Sequence, residues 1–84
     1  MRAPQARFPA APLLDHVRWA VLKRTGDSDP LPHVLARHAG VSTRSWYRWV
    51  KSGELTLSQA DSVAVHLGVH PCAIWPDEWF VEVA

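Results

Sequence analysis

Side chains that could bind a polyanion cluster in the ten residues that follow Val41. This stretch contains three cations and several hydrogen-bond donors, and it contains no carboxylate. If it is helical, its cations share one face, because residues three and four apart are neighbours on a helix. Guanidinium, ammonium and hydroxyl groups pair with phosphates and with the edges of bases. The candidate DNA-binding residues are Ser42, Thr43, Arg44, Tyr47, Arg48 and Lys51.

The distribution of charge along the chain also indicates an anionic partner. The net charge is only +1, but every Lys and Arg lies before residue 52. Residues 30–53 carry four of these cations and no acid, whereas residues 54–84 carry five acids and no Lys or Arg. Such asymmetry is typical of a protein that binds a polyanion, although an ordinary solvated surface can produce the same distribution.

The other reactive residues do not form a recognisable site. His66, His70 and Cys72 could ligate zinc, but no clear fourth ligand accompanies them, and His70 before Pro71 suits the start of a helix. No Ser–His–acid or paired-carboxylate arrangement stands out, so we expect no enzyme, no cofactor and no metal. The single cysteine excludes an internal disulfide, and no apolar run is long enough to cross a membrane. We therefore expect a cytoplasmic, nucleoid-associated protein.

The apolar periodicity predicts helices throughout. The chain has 84 residues and fits one domain, with a flexible N-terminal arm over residues 1–10 and the domain over residues 11–84. Thr56 and Gln59 have the spacing of a capping box. Trp79–Val83 is the one candidate strand, and it is too short to form a sheet alone. The fold class that we expect is all-α, a compact five-helix bundle with helices over residues 13–24, 30–38, 43–52, 57–67 and 71–75.

The second and third predicted helices are joined by a tight turn that contains Gly40. Ala36 lies four residues earlier, where a small side chain lets two helices cross closely, and the glycine can adopt a positive φ. Trp46 and Trp49 lie opposite the cations, so we expect them to pack in the core rather than to stack on bases. Two short helices joined in this way form the helix-turn-helix outline, whose second helix enters the major groove of DNA.

Two parts of the chain resemble known DNA-binding proteins. Residues 31–53 resemble the helix-turn-helix of the lambda-repressor and Cro-like family in Leu35-Ala36, Gly40-Val41-Ser42, Trp46 and Trp49. The following segment resembles small regulators of actinobacteria and their phages in Ala60-Asp61, Ala64, Leu67-Gly68-Val69-His70-Pro71 and Ile74-Trp75. The resemblance implies a five-helix fold with the third helix as the recognition helix, and it gives the six candidate residues the DNA-facing role.

The resemblance leaves alternatives open. The sequence predicts a small transcriptional regulator of the repressor or Cro type that binds double-stranded DNA and acts by occupying its site. Residues 41–55 are also similar to MerR-type and excisionase recognition helices, and an excisionase or architectural recombination factor is one alternative. Those folds continue into a β-wing, whereas a helical pattern follows here. An antitoxin-like protein-interaction module, with the acidic and apolar C-terminus as its active surface, is another alternative.

Contacts outside the third helix are also predicted. His33 is a possible phosphate contact, while Arg2 and Arg7 either enter a minor groove or belong to a tail without contacts. A homodimer would double the base contacts on a palindromic site. Its possible surface is formed by Ile74, Trp75, Trp79, Phe80, Val81 and Val83. In the monomeric alternative, the two tryptophans of this set fold back and close the core.

Overall fold

Helices form most of this computed structural model, which describes the backbone of residues 7–83 and the side chains of residues 7–79. The elements are β1 (Arg7–Pro9), α1 (Ala10–Thr25), α2 (Pro32–Ala39), α3 (Thr43–Ser52), β2 (Glu54–Thr56), α4 (Leu57–Leu67), α5 (Pro71–Ile74) and α6 (Pro76–Val83). The expectation of a compact, mainly helical fold is confirmed, and the predicted bounds of α3 and α4 are correct. The all-α, five-helix arrangement is wrong in detail, because these residues form six helices and a two-stranded sheet. No helix within residues 7–83 combines the length and the apolarity that crossing a lipid bilayer requires.

Caps fix where α3 and α4 begin. The Ser42 hydroxyl oxygen accepts a hydrogen bond from the Ser45 N–H at 3.1 Å. At α4, Thr56 Oγ1 accepts from the Gln59 N–H at 3.2 Å, and Gln59 Oε1 accepts from the Thr56 N–H at 3.0 Å. The predicted capping box is therefore confirmed. Each cap satisfies an N–H group that has no intrahelical partner, and it thereby fixes the residue at which the helix begins.

One apolar core joins the elements. Leu13, Val17 and Val21 recur at four-residue spacing on α1 and are fully buried. Trp46 and Trp49 are 2% and 3% exposed, and their ring centroids lie 6.5 Å apart. The prediction that both tryptophans pack in the core is confirmed, and α3 is thereby held with its opposite face in solvent.

The small sheet attaches the N-terminal segment to the core. In β1, Phe8 lies opposite Leu55 of the antiparallel strand β2, and both side chains are buried. The Phe8 ring centroid lies 5.4 Å from that of Trp75 and 5.6 Å from that of Trp79. Trp75 Nε1 also donates a hydrogen bond to the Pro9 carbonyl at 2.7 Å. Aromatic side chains of the C-terminal segment therefore hold β1 in place.

The prediction of a flexible arm over residues 1–10 is wrong for residues 7–10. Arg7–Pro9 form β1 and Ala10 is the first residue of α1, while residues 1–6 lie outside the described part of the chain. The helix begins three residues before its predicted start. Pro12 does not prevent this, because the first N–H groups of a helix have no intrahelical partner to lose.

The C-terminal segment also differs from the prediction. The candidate strand Trp79–Val83 belongs to α6. Ile74 and Trp75 are buried in the core of their own chain, so they are not available for the predicted dimer surface. Trp75 folds back as the monomeric alternative requires, and Trp79 is partly buried beside Phe8. The other three residues of that surface, Phe80, Val81 and Val83, lie beyond the described side chains.

Candidate nucleic-acid interface

The α3 helix has one buried face and one exposed face. Trp46 and Trp49 occupy the buried face. The exposed face carries the predicted contacts Arg44, Tyr47, Arg48 and Lys51. Tyr47 and Arg48 lie three and four residues after Arg44, and Lys51 lies four and three residues after them, so the four side chains form a continuous stripe along the helix. Because α3 contains no Asp or Glu, the stripe presents three cations and a phenol without an intervening negative charge.

The cations of this stripe have no acidic partner in the described part of the chain. The ion pair found within residues 7–83 joins Arg7 Nε to Glu54 Oε1 at 3.6 Å. The guanidinium groups of Arg44 and Arg48 can therefore pair with an external group. Guanidinium donates two parallel hydrogen bonds to a phosphate or to the major-groove edge of guanine.

Polar groups also converge at the N-terminal end of α3. Ser42 is exposed, and its hydroxyl oxygen both accepts from the Ser45 N–H and donates to Ser45 Oγ at 3.2 Å. Thr43, the first residue of the helix, is partly exposed. The first N–H groups of a helix are positively polarised, and they favour a bound anion. Both predicted residues are therefore placed where a phosphate oxygen can approach.

The turn between α2 and α3 fixes the angle between these helices. Gly40 has a φ of 77°, a left-handed conformation that side chains disfavour. Its N–H bonds to the Arg37 carbonyl at 3.1 Å, and the Val41 N–H bonds to the Ala36 carbonyl at 3.0 Å. Ala36 is only 1% exposed, which fits its expected role at a close helix crossing. These hydrogen bonds end α2 and connect it to α3 through a tight turn.

A shallow groove lies between α2 and the start of α3. It has a volume of about 400 Å³, and its walls are formed by His33, Arg37, Gly40, Val41, Ser42 and Thr43. The structure thus places His33, the possible phosphate contact, beside two of the predicted DNA-binding residues. Arg37 is a further candidate that the sequence prediction did not include. The sequence could have indicated Arg37, because it lies one helical turn after His33 and therefore on the same face of α2.

The other end of the stripe meets the small sheet. A cleft of about 230 Å³ contains Arg48 together with Arg7 and Glu54. Arg7 belongs to β1 rather than to a free arm, and its half-exposed side chain pairs with Glu54. Its contact with a minor groove stays a prediction. Arg2, the other arm residue, lies outside the described part of the chain. Because Arg7 offsets the charge of Glu54, the carboxylate that follows α3 does not cancel the positive stripe.

One of the residues considered as zinc ligands, His70, has a local structural role. His70 is the N-cap of α5, where its Nδ1 accepts a hydrogen bond from the Cys72 N–H at 3.1 Å. The prediction that His70 suits a helix start is confirmed. Among the side chains of residues 7–79, no three His, Cys, Asp or Glu residues lie in an arrangement that could hold a metal ion.

No protein-family model, curated protein or solved structure matches this chain. Function is therefore inferred from the geometry of α3 and of the elements around it.

Proposed function

We propose that the protein binds double-stranded DNA sequence-specifically and acts as a small transcriptional regulator of the repressor or Cro type. In this proposal α2, the turn at Gly40 and α3 form a helix-turn-helix, and α3 enters the major groove. The observation that carries the proposal is the exposed, carboxylate-free stripe of α3, which is turned outward by the burial of Trp46 and Trp49.

The order of the side chains along α3 supports a division of roles. Arg44 lies in the first turn, and the N-terminal residues of a recognition helix are those that reach base edges. Tyr47 and Arg48 follow one turn later on the same face. Lys51 lies in the last turn, where contact with phosphate is expected. Ser42 lines the protein groove that also contains His33. It would contact phosphates on the side of the DNA major groove opposite to those that Lys51 contacts.

Occupancy is the simplest mode of action for such a protein. A helix in the major groove prevents RNA polymerase or a competing protein from using the same DNA, and no further activity is needed. An architectural recombination factor would use the same helix but would bend the duplex. Measurement of the bend angle of the bound duplex separates these two roles.

Selection of bound sites from random duplexes, followed by titrations at several salt concentrations, tests the proposal. We expect one enriched motif and an affinity that falls steeply as salt rises, because each phosphate contact releases counterions. The double variant Arg44→Ala, Arg48→Ala should lose the enrichment, whereas the control Arg18→Ala, exposed on α1, should keep it. No duplex binding at low salt would contradict the proposal and favour a protein-interaction module.

Dimerisation on a palindromic site stays a prediction, and it now requires a surface other than Ile74 and Trp75. Sedimentation with and without a half-site duplex tests it. A monomer that binds one asymmetric site with full affinity contradicts it.

A further inference from the structure

A second positive surface lies outside α3, in a cleft between α1, α2 and α4. We call it the histidine cleft; its walls are formed by Arg24, His33, Val34, Arg37, His38 and His66. Its volume is about 410 Å³, which far exceeds the roughly 30 Å³ that one water molecule occupies in the liquid. Two guanidinium groups and three imidazoles line this space, and no carboxylate does.

The surroundings of the histidine cleft disfavour a positive charge on His38. Partial burial lowers the pKa of His38 below its ordinary value of 6.5, and the nearby charges of Arg24, His16 and His66 lower it further. These groups come from α1 and α4, while His38 itself belongs to α2. An imidazolium at position 38 is therefore disfavoured by its surroundings, and a bound anion would reverse that effect.

The nearest acids in the sequence do not relieve this repulsion. Asp27 and Asp29 lie in the loop between α1 and α2, and both are exposed. Asp27 Oδ1 accepts a hydrogen bond from the Asp29 N–H at 2.9 Å, so this carboxylate is occupied within the loop. Neither residue lines the histidine cleft. The described residues therefore supply no carboxylate to the wall of the cleft, and an external anion could supply the missing negative charge.

The side chains of the cleft suit a phosphate group in particular. Arg24 and Arg37 are exposed guanidinium groups on neighbouring helices, and a guanidinium can donate two hydrogen bonds to one phosphate. The imidazole rings add N–H donors, and a protonated ring presents two of them. A simple carboxylate ligand would satisfy fewer of these donors, because it offers two oxygens instead of three or more.

We propose that the histidine cleft binds a phosphate group and that His38 takes up a proton from solvent as it does so. This inference goes beyond the proposed function, because Arg24, His38 and His66 lie outside the groove at the start of α3 and phosphate binding here does not require DNA. The phosphate comes from one of two sources: a phosphodiester of bound DNA, reached across His33 and Arg37, or a free phosphorylated small molecule. Both residues also line the groove at the start of α3, so the two surfaces are continuous.

Titration of the protein with pyrophosphate, followed by NMR of backbone amides and histidine rings, tests the proposal without any DNA. We expect saturable shifts at the cleft residues and at His16. Relative to His38→Gln, which shares the titration of pyrophosphate itself, the affinity of the natural protein should rise as the pH falls toward 6.5 and below, by up to tenfold per pH unit for the proton that His38 takes up. The double variant Arg24→Gln, Arg37→Gln should bind at least tenfold more weakly, whereas the control Arg18→Gln should bind as the natural protein does. All three charges are exposed, and thermal melts verify that each variant folds.

A second titration with a selected duplex identifies the source of the phosphate. Displacement of pyrophosphate by the duplex assigns the cleft to the DNA backbone, whereas simultaneous binding assigns it to a free phosphorylated molecule. The proposal is overturned if the cleft residues show no saturable shift, or if the double variant binds pyrophosphate as tightly as the control. A failure of duplex binding alone would count against the proposed function and leave the pyrophosphate result intact.

Discussion

The imidazole ring of His66 lies directly over the backbone of Gly40. A Cβ atom at position 40 would be 2.5 Å from the ring atoms Cδ2 and Cγ of His66, closer than real Cβ contacts allow. The ring belongs to α4 and the glycine to the turn between α2 and α3. The missing side chain at Gly40 therefore permits both the left-handed backbone and the close approach of α4 to the start of the proposed recognition helix.

Gly40→Ala should therefore destabilise the fold for two reasons. The positive φ costs about 1–2 kcal/mol for a residue with a side chain. The new methyl group must also displace the His66 ring. Gly68→Ala is the matched control, because Gly68 has a φ of 75° but nothing within 4 Å of its Cβ position. Chemical denaturation should give a larger loss for Gly40→Ala, and His66→Ala should remove the difference. Equal losses at the two glycines would contradict the contact.

Truncating Trp46 or Trp49 of α3 should strongly lower the free energy of unfolding, whereas truncating the exposed Trp19 should not. Trp46→Ala and Trp49→Ala should each lower the free energy of unfolding by about 3–5 kcal/mol, the usual cost of truncating a buried aromatic. Trp19 is 61% exposed, so Trp19→Ala should change it by less than about 0.5 kcal/mol. Thermal or denaturant unfolding measures all three. A Trp49→Ala variant that melts normally and fails to bind DNA would place that side chain at the DNA surface instead.

The N-terminal strand should also contribute to stability. Phe8 is fully buried between Trp75 and Trp79, so Phe8→Ala should cost about 3–5 kcal/mol. Arg7→Ala is the neighbouring control. It removes only a half-exposed ion pair with Glu54, and such pairs contribute about 0–1 kcal/mol. If denaturant unfolding shows Phe8→Ala to be as stable as Arg7→Ala, β1 does not hold the core together.

Local signals explain why α3 and α4 could be predicted from sequence. Ser42 and the Thr56–Gln59 pair act through hydrogen bonds to residues three positions away, so their pattern is visible in the sequence. The opposite faces of α3 are equally local, because helical spacing alone separates Trp46 and Trp49 from the cations. The predicted ranges and burial at these positions are correct for that reason.

Contacts between distant segments could not be predicted in the same way. The strand β1 is held in place because Phe8 contacts the rings of Trp75 and Trp79. The Pro9 carbonyl also accepts a hydrogen bond from Trp75, 66 positions later in the sequence. Nothing in the sequence around Phe8 indicates this partner. The histidine cleft was missed for the same reason, since Arg24 and His66 lie on different helices and share no motif.

Sequence preference should depend on Arg44 more than on Lys51. If Arg44 pairs with a guanine, Arg44→Ala should lose about 1–3 kcal/mol of discrimination at one base pair, while random duplex is bound with a smaller loss. Lys51→Ala removes a phosphate contact, so it should weaken all duplexes evenly and reduce the salt slope by about one. Titrations against the selected site, its single-base variants and random DNA measure both effects. Equal losses on selected and random DNA for Arg44→Ala would contradict its role in base recognition.

The stability of the protein should fall as the pH drops below 6.5, with His38 as one cause. The pKa of His38 is lowered in the folded state, first by partial burial and then by Arg24, His16 and His66. Between the lowered pKa and 6.5, the unfolded chain binds more protons at this position than the folded chain does. The free energy of unfolding therefore rises with pH across that window. Urea denaturation at several pH values should show a shallower slope for His38→Gln, and a partly reduced slope for Arg24→Gln. A slope that His38→Gln leaves unchanged would assign the pH dependence to other groups.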